Sequence, residues 1–473
     1  MELKLPKLRK IDPNKPKKKK ILLLSDDLRL FSGIATQSKE FVLKTLHKYD
    51  WVQLGAALNH PENGKVLDVS QDAAKETGVE DAYLKIYCTN GYGNPDIVRQ
   101  LINVERPDAI LHFTDPRYWI WLYQMEHEIR QMIPIFYYNI WDDLPDPLWN
   151  SPYYASCDLL MAISKQTYGI NKRCLKKYGM DLPDWTFKYV PHGVSEHFKP
   201  LPKDNEKLVE FKKKYGIDDM EFVVLWNNRN IRRKQPGDLI IAFDSFVQQL
   251  PKEKRDKVCL FLHTQPVDEN GTDIPEVIKN CSSGGKYVFT NPGISTEELN
   301  LYYNSGDIIV NLTSNEGFGL STCEGMRAGL PIVVNVTGGL QDQCGFKMDG
   351  KFLTEDDYLE LGSLHDVRSD YLSRLTWGEW VKPVWPSNRS LQGSPLTPYI
   401  FDDRCDFRDF GNAIKEWYDT PSDERAKAGM LAHAFVNGVG NMTAEKMGET
   451  FIESMEAVFE NWKPRKKFEI VKV

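Results

Sequence analysis

Twice along this chain the same pattern is written: a short run of β-branched and apolar residues, a turn of Gly or polar residues, then an amphipathic helix. Strands alternating with helices require right-handed crossovers, and these give a mainly parallel sheet with helices on both faces. In the first pass strands are predicted at Ile21–Ser25, Trp51–Leu58, Tyr83–Cys88, Ala109–Phe113, Pro134–Trp141, Asp158–Ser164 and Phe187–Val190. Helices are predicted at Ile34–His47, Pro95–Val104 and Trp119–Arg130. Residues 196–206 hold Pro200 and Pro202 among charges and read as a linker. The second pass has strands at Phe222–Trp226, Val258–His263, Tyr287–Phe289, Asp307–Leu312 and Pro331–Val336, and helices at Asp238–Gln249, Thr296–Ser305 and Ser321–Ala328. Residues 345–400 are rich in Trp, Pro, Ser and Gly and read as a long insertion. Helices Phe407–Tyr418, Asp423–Val436 and Ala444–Trp462 follow. Ligands of open parallel sheets sit at the carboxyl ends of the strands. Two such sheets facing each other make one deep cleft.

A hydrophobic content of 41% over 473 residues excludes a disordered chain and supplies a core for each half. The net charge of −7 is unevenly placed: residues 1–20 carry +7 and the remaining 453 carry −14. An acidic body argues against nucleic-acid binding over the whole surface. The eight cysteines show no Cys-x2-Cys spacing, which argues against a zinc ribbon and a thioredoxin-like site. No apolar run approaches the roughly 18 residues of a membrane span. The expectation is a cytoplasmic multi-domain protein whose basic tail can touch an anionic surface, peripheral to a membrane.

The chemistry concentrates in Asn311–Asp342. A buried strand ends in Ser314-Asn315-Glu316-Gly317-Phe318-Gly319, and a helix starts at about Leu320. Gly317 and Gly319 let the backbone approach a ligand, and the free N–H groups of the helix start face it with the positive end of the dipole. That is an anion site suited to phosphate. Glu316 stands on the loop and Glu324 is expected in the first turn of the helix, where a carboxylate is also ordinary dipole compensation.

Glu316-x7-Glu324, set in E-G-F-G-L-S-x-x-E-G-M-x-A-G-x-P with Gly338-Gly339 after the next strand, resembles the signature of glycosyltransferase family 4. That resemblance implies a retaining, nucleotide-sugar-dependent enzyme of the GT-B fold: α/β, with two Rossmann-like domains facing across a cleft and C-terminal helices packing back on the N-terminal domain. The lysines and prolines of residues 1–20 read as a basic tail, and the resemblance implies an N-terminal acceptor domain at 21–198. A C-terminal nucleotide-sugar domain would occupy 199–445, with the insertion at 345–400, and a helix at 446–473 would cross back. By the same resemblance, Glu316 contacts the donor sugar beside the reacting carbon and Glu324 binds the ribose. Backbone N–H groups of Phe318, Gly319 and Leu320 hold the diphosphate. Arg229 and Lys234 match the family's pair of cations on the leaving diphosphate. Gly33, with Ser32, stands in place of a Gly-rich loop over that diphosphate. His112, at the end of its strand, matches a His that contacts the donor sugar. Pro191-His192-Gly193-Val194 resembles the family's Pro-Asn-Gly-Val hinge.

The implied donor is a nucleotide-diphosphate sugar, with no cofactor beyond it. No Asp-x-Asp occurs in the chain, so no metal is expected; no P-loop is present either. The acceptor is left open between a glycan, a lipid-linked glycan and modified bases of DNA. Aromatics of the first half, and Lys172, Arg173, Lys176 and Lys177 on one helix, are compatible with each. A nucleotide-sugar epimerase and a non-catalytic sugar-nucleotide binder are the other readings.

Overall fold

The computed structural model describes residues 17–290, 293–361 and 373–466. Each pass of the pattern makes its own sheet. The first contains β1 (Lys19–Asp26), β2 (Tyr49–Ala57), β3 (Val66–Asp68), β4 (Leu84–Asn90), β5 (Ala109–Phe113), β6 (Ile135–Asn139), β7 (Leu159–Ala162) and β8 (Phe187–Tyr189). Their spatial order is β3-β4-β2-β1-β5-β6-β7-β8, parallel throughout except for β3 on β4. In β1, Ile21 and Leu23 enter one core layer while Leu22 and Leu24 enter the other. Burial on both faces is why this strand reads as a continuous apolar run rather than an alternation.

The second sheet contains β9 (Phe222–Asn227), β10 (Val258–His263), β11 (Lys286–Phe289), β12 (Ile308–Asn311) and β13 (Ile332–Asn335). The stretch expected as an insertion then divides into three parts. β14 (Lys347–Met348), β15 (Lys351–Phe352) and β16 (Leu375–Thr376) form a small antiparallel sheet. β17 (Val381–Val384) pairs in parallel with β13 and completes the order β11-β10-β9-β12-β13-β17. β18 (Asn388–Ser394) and β19 (Thr397–Arg404) make a hairpin. The sixth strand is therefore part of the frame, concealed by its Pro383 and by the tryptophans around it. Proline is tolerated there because β17 lies at the sheet edge.

Each sheet has one point where the winding direction reverses: between β1 and β5, and between β9 and β12. Loops leaving the carboxyl ends of those strands cannot cover each other, so a crevice opens at each reversal.

Four helices position the site or hold the halves together: α1 (Gly33–Thr45), α2 (Lys165–Lys177), α3 (Leu320–Arg327) and α4 (Ala444–Asn461). α4 crosses back onto the first half. Phe451 stacks on Phe41 of α1 at 4.6 Å, Phe459 meets Phe136 of β6 at 5.6 Å, and Glu456 accepts from Tyr49 Oη at 2.8 Å. A Cβ on Gly193 would stand 2.5 Å from Ala444 Cα, so the segment joining the halves is seated directly under the start of α4.

Two expectations change. The predicted helix Trp119–Arg130 is a 3-10 turn at Pro116–Trp119 followed by two short pieces that meet at Met125. Trp119, Leu122, Tyr123, Met125 and Ile129 are all buried, and the chain re-angles at Met125 to bury them. Residues 1–16 of the expected tail lie outside the described residues. Its last lysines belong to the sheet: Lys18 pairs with Asp81 at 2.8 Å, Lys20 with Glu105 at 2.8 Å, and Lys19 with Glu456 at 3.3 Å. Among the described residues no helix is long and apolar enough to cross a membrane.

The packing of α4 on α1 gives a direct test. Phe451→Ala opens a cavity between the two helices, and a buried Phe→Ala change costs about 3–5 kcal/mol. Chemical denaturation should show a loss of that size; a loss under about 1 kcal/mol would mean that α4 is not held by this contact.

Candidate active site

Ser32 and Gly33 follow β1, Arg229 and Lys234 follow β9, Glu316 and Phe318–Leu320 follow β12, and His112 lies within β5, the four strands that flank the two reversals; Glu324 lies further along the helix after β12. Two helices begin there. α1 is capped by Ser32, whose Oγ accepts from Ala35 N at 3.0 Å and donates to Asp26 Oδ2 at 2.9 Å. α3 begins after Gly319, which sits at φ +90° and offers no side-chain cap. A residue with a Cβ would be strained there and would meet Leu340 Cδ2 at 2.5 Å. A Cβ on Gly33 would stand 3.5 Å from Leu320 Cδ1, so the two helix starts face each other. Neither has an acidic residue in its first turn. Their positive ends therefore lie close together, an arrangement suited to an anion with charge on both sides. Glu324 lies beyond the first turn of α3, contrary to the expectation, so it does not compensate that dipole.

Glu316 is buried beside two cations. Lys234 Nζ donates to Glu316 Oε2, and Arg233 Nη1 lies 3.8 Å from the same oxygen. Burial opposes the charge on Glu316, yet Lys234 and Arg233 together hold its carboxyl below the usual range. Burial pulls the Lys234 ammonium down to about 8 against the attraction of Glu316. The loop carrying Glu316 is clamped on several sides. Gly339 N donates to Glu316 O at 2.8 Å, Asn335 Nδ2 to Thr313 O at 2.8 Å, and Arg233 Nη1 to Asn315 O at 2.8 Å. A Cβ on Gly338 would stand 2.1 Å from Glu316 O, and one on Gly317 would stand 2.8 Å from Ile163 Cδ1 of the first half. The glycines of this region therefore serve close backbone packing as well as access.

Two expected residues do not join this centre. Arg229 has a side chain 66% exposed and pairs with Asp268 at 3.2 Å; Arg233 takes the place beside the carboxylate. His112 is fully buried, stacks on Tyr137 at 5.1 Å, and engages Tyr123 Oη at 2.6 Å and Thr114 Oγ1 at 3.0 Å. Burial holds its pKa down to about 3, so it is a neutral core residue with both ring nitrogens occupied. His192 comes nearer: its ring meets Phe318 at 5.3 Å, its Nδ1 engages Tyr138 Oη at 2.8 Å, and burial likewise holds it neutral, at about 3. Asp142, after β6, also brings a carboxyl to the charges of Arg233 and Glu316. Burial raises its pKa. Arg233 sits beside Lys234 in a run of basic residues, and spacing alone gave no reason to prefer it to Arg229. Asp142 was detectable only as a carboxylate at a strand's carboxyl end.

The basic helix reads differently in three dimensions. Lys172 pairs with Asp184 at 3.3 Å, and Arg173 and Lys177 both pair with Asp146, at 2.9 and 2.8 Å. Most of the positive charge of α2 is thus spent within the protein.

Glu324 accepts from Tyr303 Oη at 2.5 Å, and Tyr303 Oη accepts from Asn227 Nδ2 at 2.7 Å. Burial pushes the Glu324 carboxyl up to about 7, against the lowering effect of Tyr303. The folded state then binds this proton more tightly than the unfolded chain. The stability it contributes is present below pH 4.5 and is lost as pH rises towards 7. Urea denaturation across that window should show a downward slope that Glu324→Gln reduces; an unchanged slope would mean that this carboxyl titrates normally.

Residues 209–357 match the family model described as Glycosyl transferases group 1. Over 190 residues the chain is 29% identical to the alpha-monoglucosyldiacylglycerol synthase of Acholeplasma laidlawii, covering 39% of this chain and 43% of that protein. Over 219 residues it is 24% identical to the D-inositol 3-phosphate glycosyltransferase of Xylanimonas cellulosilytica, covering 44% and 50%. The matches thus span half or less of the length of these relatives. Among solved structures, sucrose-phosphate synthase from Thermosynechococcus elongatus superposes with a TM-score of 0.64 at 13% identity, over 94% of this chain and all of that one. Anabaena Alr3699/HepE, in complex with UDP and glucose, superposes with a TM-score of 0.60 at 12% identity, over 93% and 100%. Over residues 209–357 the chain is thus similar to glycosyltransferase group 1 domains, and its two-sheet body has the GT-B fold.

Proposed function

We propose that this protein transfers a hexosyl group from a nucleotide-diphosphate sugar to a hydroxyl of a glycan or lipid-linked glycan, with retention of anomeric configuration and without a metal ion. The observation that carries the reading is the buried Lys234–Glu316 pair at the carboxyl end of β9 and β12, beside two helix starts that face each other. An ammonium has three donors, so Lys234 can hold Glu316 and still offer N–H groups to a diphosphate. Lys234 and the N–H groups at Phe318–Leu320 neutralise the charge that grows on the leaving diphosphate. Glu316 supports positive charge at the reacting carbon. The bond from that carbon to the phosphate oxygen breaks, a bond to the acceptor oxygen forms on the same face, and the hydroxyl proton passes to the departing diphosphate. Glu324 accepts from the ribose. The pairing within α2 favours a glycan or lipid-linked acceptor over DNA, because few of its cations remain for phosphates of a duplex.

A screen of nucleotide sugars in EDTA, read by released nucleotide and by NMR of the product's anomeric proton, tests the proposal. Turnover with a retained configuration is expected. An inverted product or a need for added Mg²⁺ would overturn the mechanism. Glu316→Gln should reduce transfer by at least about 10³-fold and leave nucleotide binding within a few-fold, whereas Lys234→Ala should cost about 10²–10³ in rate. Wild-type turnover in Glu316→Gln would remove the residue from the chemistry.

A further inference from the structure

The hairpin β18–β19 has no part in the reaction as described, yet it touches both sides of the cleft. Its base holds the loop that carries Glu316. Asp402, 3% exposed, accepts from Ser314 Oγ at 3.3 Å and Asn315 Nδ2 at 3.3 Å, and its other oxygen lies 3.4 Å from Arg232 Nη1. Asp403 N donates to Ser314 O at 3.1 Å, Asp403 O accepts from Asn335 Nδ2 at 2.9 Å, and Asp403 Oδ2 accepts from Thr337 Oγ1 at 2.8 Å. These contacts fix the two residues that precede Glu316 and the strand end beneath them.

Its far part lies on the first half. Arg117 donates to Thr397 Oγ1 and, at 3.4 Å, to Leu396 O. Tyr399 Oη donates to Asp146 O at 3.1 Å, and its ring meets the Trp149 ring at 4.3 Å and 89°. Phe401 N donates to Leu144 O at 2.7 Å. Arg117 follows β5, and Leu144, Asp146 and Trp149 follow β6, so the hairpin rests on loops at the carboxyl ends of the first sheet. Tyr399 and Asp402 are three positions apart, roughly 10 Å of extended strand. A strand paired along its length is stiff, and a displacement at Tyr399 cannot be absorbed before Asp402.

We propose that this hairpin couples closure of the two halves to the seating of Glu316, with Thr397 and Tyr399 as the latch on the first half and Asp402 as the positioning residue for the Ser314–Glu316 loop. The inference rests on the transferase reading for its consequence, because a seated Glu316 is what the reaction requires. Its geometry stands apart from that reading. When the latch is made, Asp402 holds Ser314 and Asn315 in register and Glu316 stays on Lys234. When the latch opens, the loop is released and the carboxylate loses its fixed place relative to the reacting carbon.

Amide hydrogen exchange of the full chain, without ligand, tests the coupling. Thr397→Val combined with Tyr399→Ala removes the side-chain contacts of the latch, leaving only the backbone bonds at Leu396 and Phe401, and should speed exchange across residues 313–319 about tenfold, with β9 and β12 unchanged. Asp402→Asn should loosen the same loop while leaving residues 144–149 as they are. Tyr399→Phe keeps the ring against Trp149 and removes the bonds its hydroxyl makes with Asp146 O and Leu148 N; it decides the matter by a smaller shift in the same segment if the double variant does not fold. In hydrolysis by water of the nucleotide sugar that the donor screen identifies, Asp402→Asn should lower kcat about tenfold with KM unchanged, the mark of a misplaced carboxylate rather than lost donor binding. Unchanged exchange at 313–319 in the latch variants would overturn the coupling. An unchanged kcat in Asp402→Asn, with or without a raised KM, would overturn the positioning role. A wild-type chain that neither binds nor hydrolyses any nucleotide sugar, but shows the exchange pattern, would refute the transferase reading and leave the coupling intact.

Discussion

A carboxylate and an ammonium buried against each other are the constraint around which the second half is arranged. Removing either partner of such a pair leaves a bare charge in a low-dielectric setting, a loss of about 3–5 kcal/mol, whereas a packed apolar pair would be as stable or more so. Lys234 and Glu316 are therefore poorly explained as a stabilising device. Much else is spent to keep them: Arg233 beside the carboxylate, and Gly338 and Gly339 pressed against the loop backbone. The Asn335 side chain turned to Thr313, and Asp402 on Ser314 and Asn315, serve the same end. The arrangement also explains why the loop has glycine where Ile163 of the first half comes closest.

The first half contributes an opposed positive pole at the start of α1 as well as the carboxyl of Asp142. Ser32 caps α1 and is tied to Asp26, which turns the start of that helix towards Leu320. Burial raises the pKa of Asp26, against the lowering effect of its bond from Ser32. α4, packed on α1 by Phe41 and Phe451, braces the helix whose N-terminus does this work. A distant aromatic contact thus bears on the electrostatics of the cleft through the direction of one helix.

Much of this was legible in the residues, and the failures are instructive. Strands buried on both faces announce themselves as apolar runs, and β5 and β10 fall at the expected bounds. Loop glycines with a carboxylate at a strand end, followed by a helix, placed Glu316 and the start of α3 together. Periodicity could not reveal β17, because a four-residue edge strand containing Pro383 carries no pattern. Nor could spacing distinguish Arg229 from Arg233: which arginine turns inward depends on Asp268, which draws Arg229 to the rim, and on the backbone carbonyl of Asn315, which receives Arg233. His112 sits at the expected strand end but is enclosed by Tyr123 and Tyr137, tyrosines contributed by separate elements. Contacts between segments far apart in the chain, such as Tyr399 on Trp149, leave no local signature at all.

The central claim is that Lys234 and the facing starts of α1 and α3 form a diphosphate site that needs no metal. Phosphorus NMR of nucleoside diphosphates titrated with the full chain in EDTA addresses it most directly. For at least one nucleoside diphosphate, both phosphorus resonances should shift and broaden on binding, and the effect should be strongly weakened in Lys234→Met. Unperturbed spectra for all common nucleoside diphosphates, or perturbation that appears only after Mg²⁺ is added, would contradict the account.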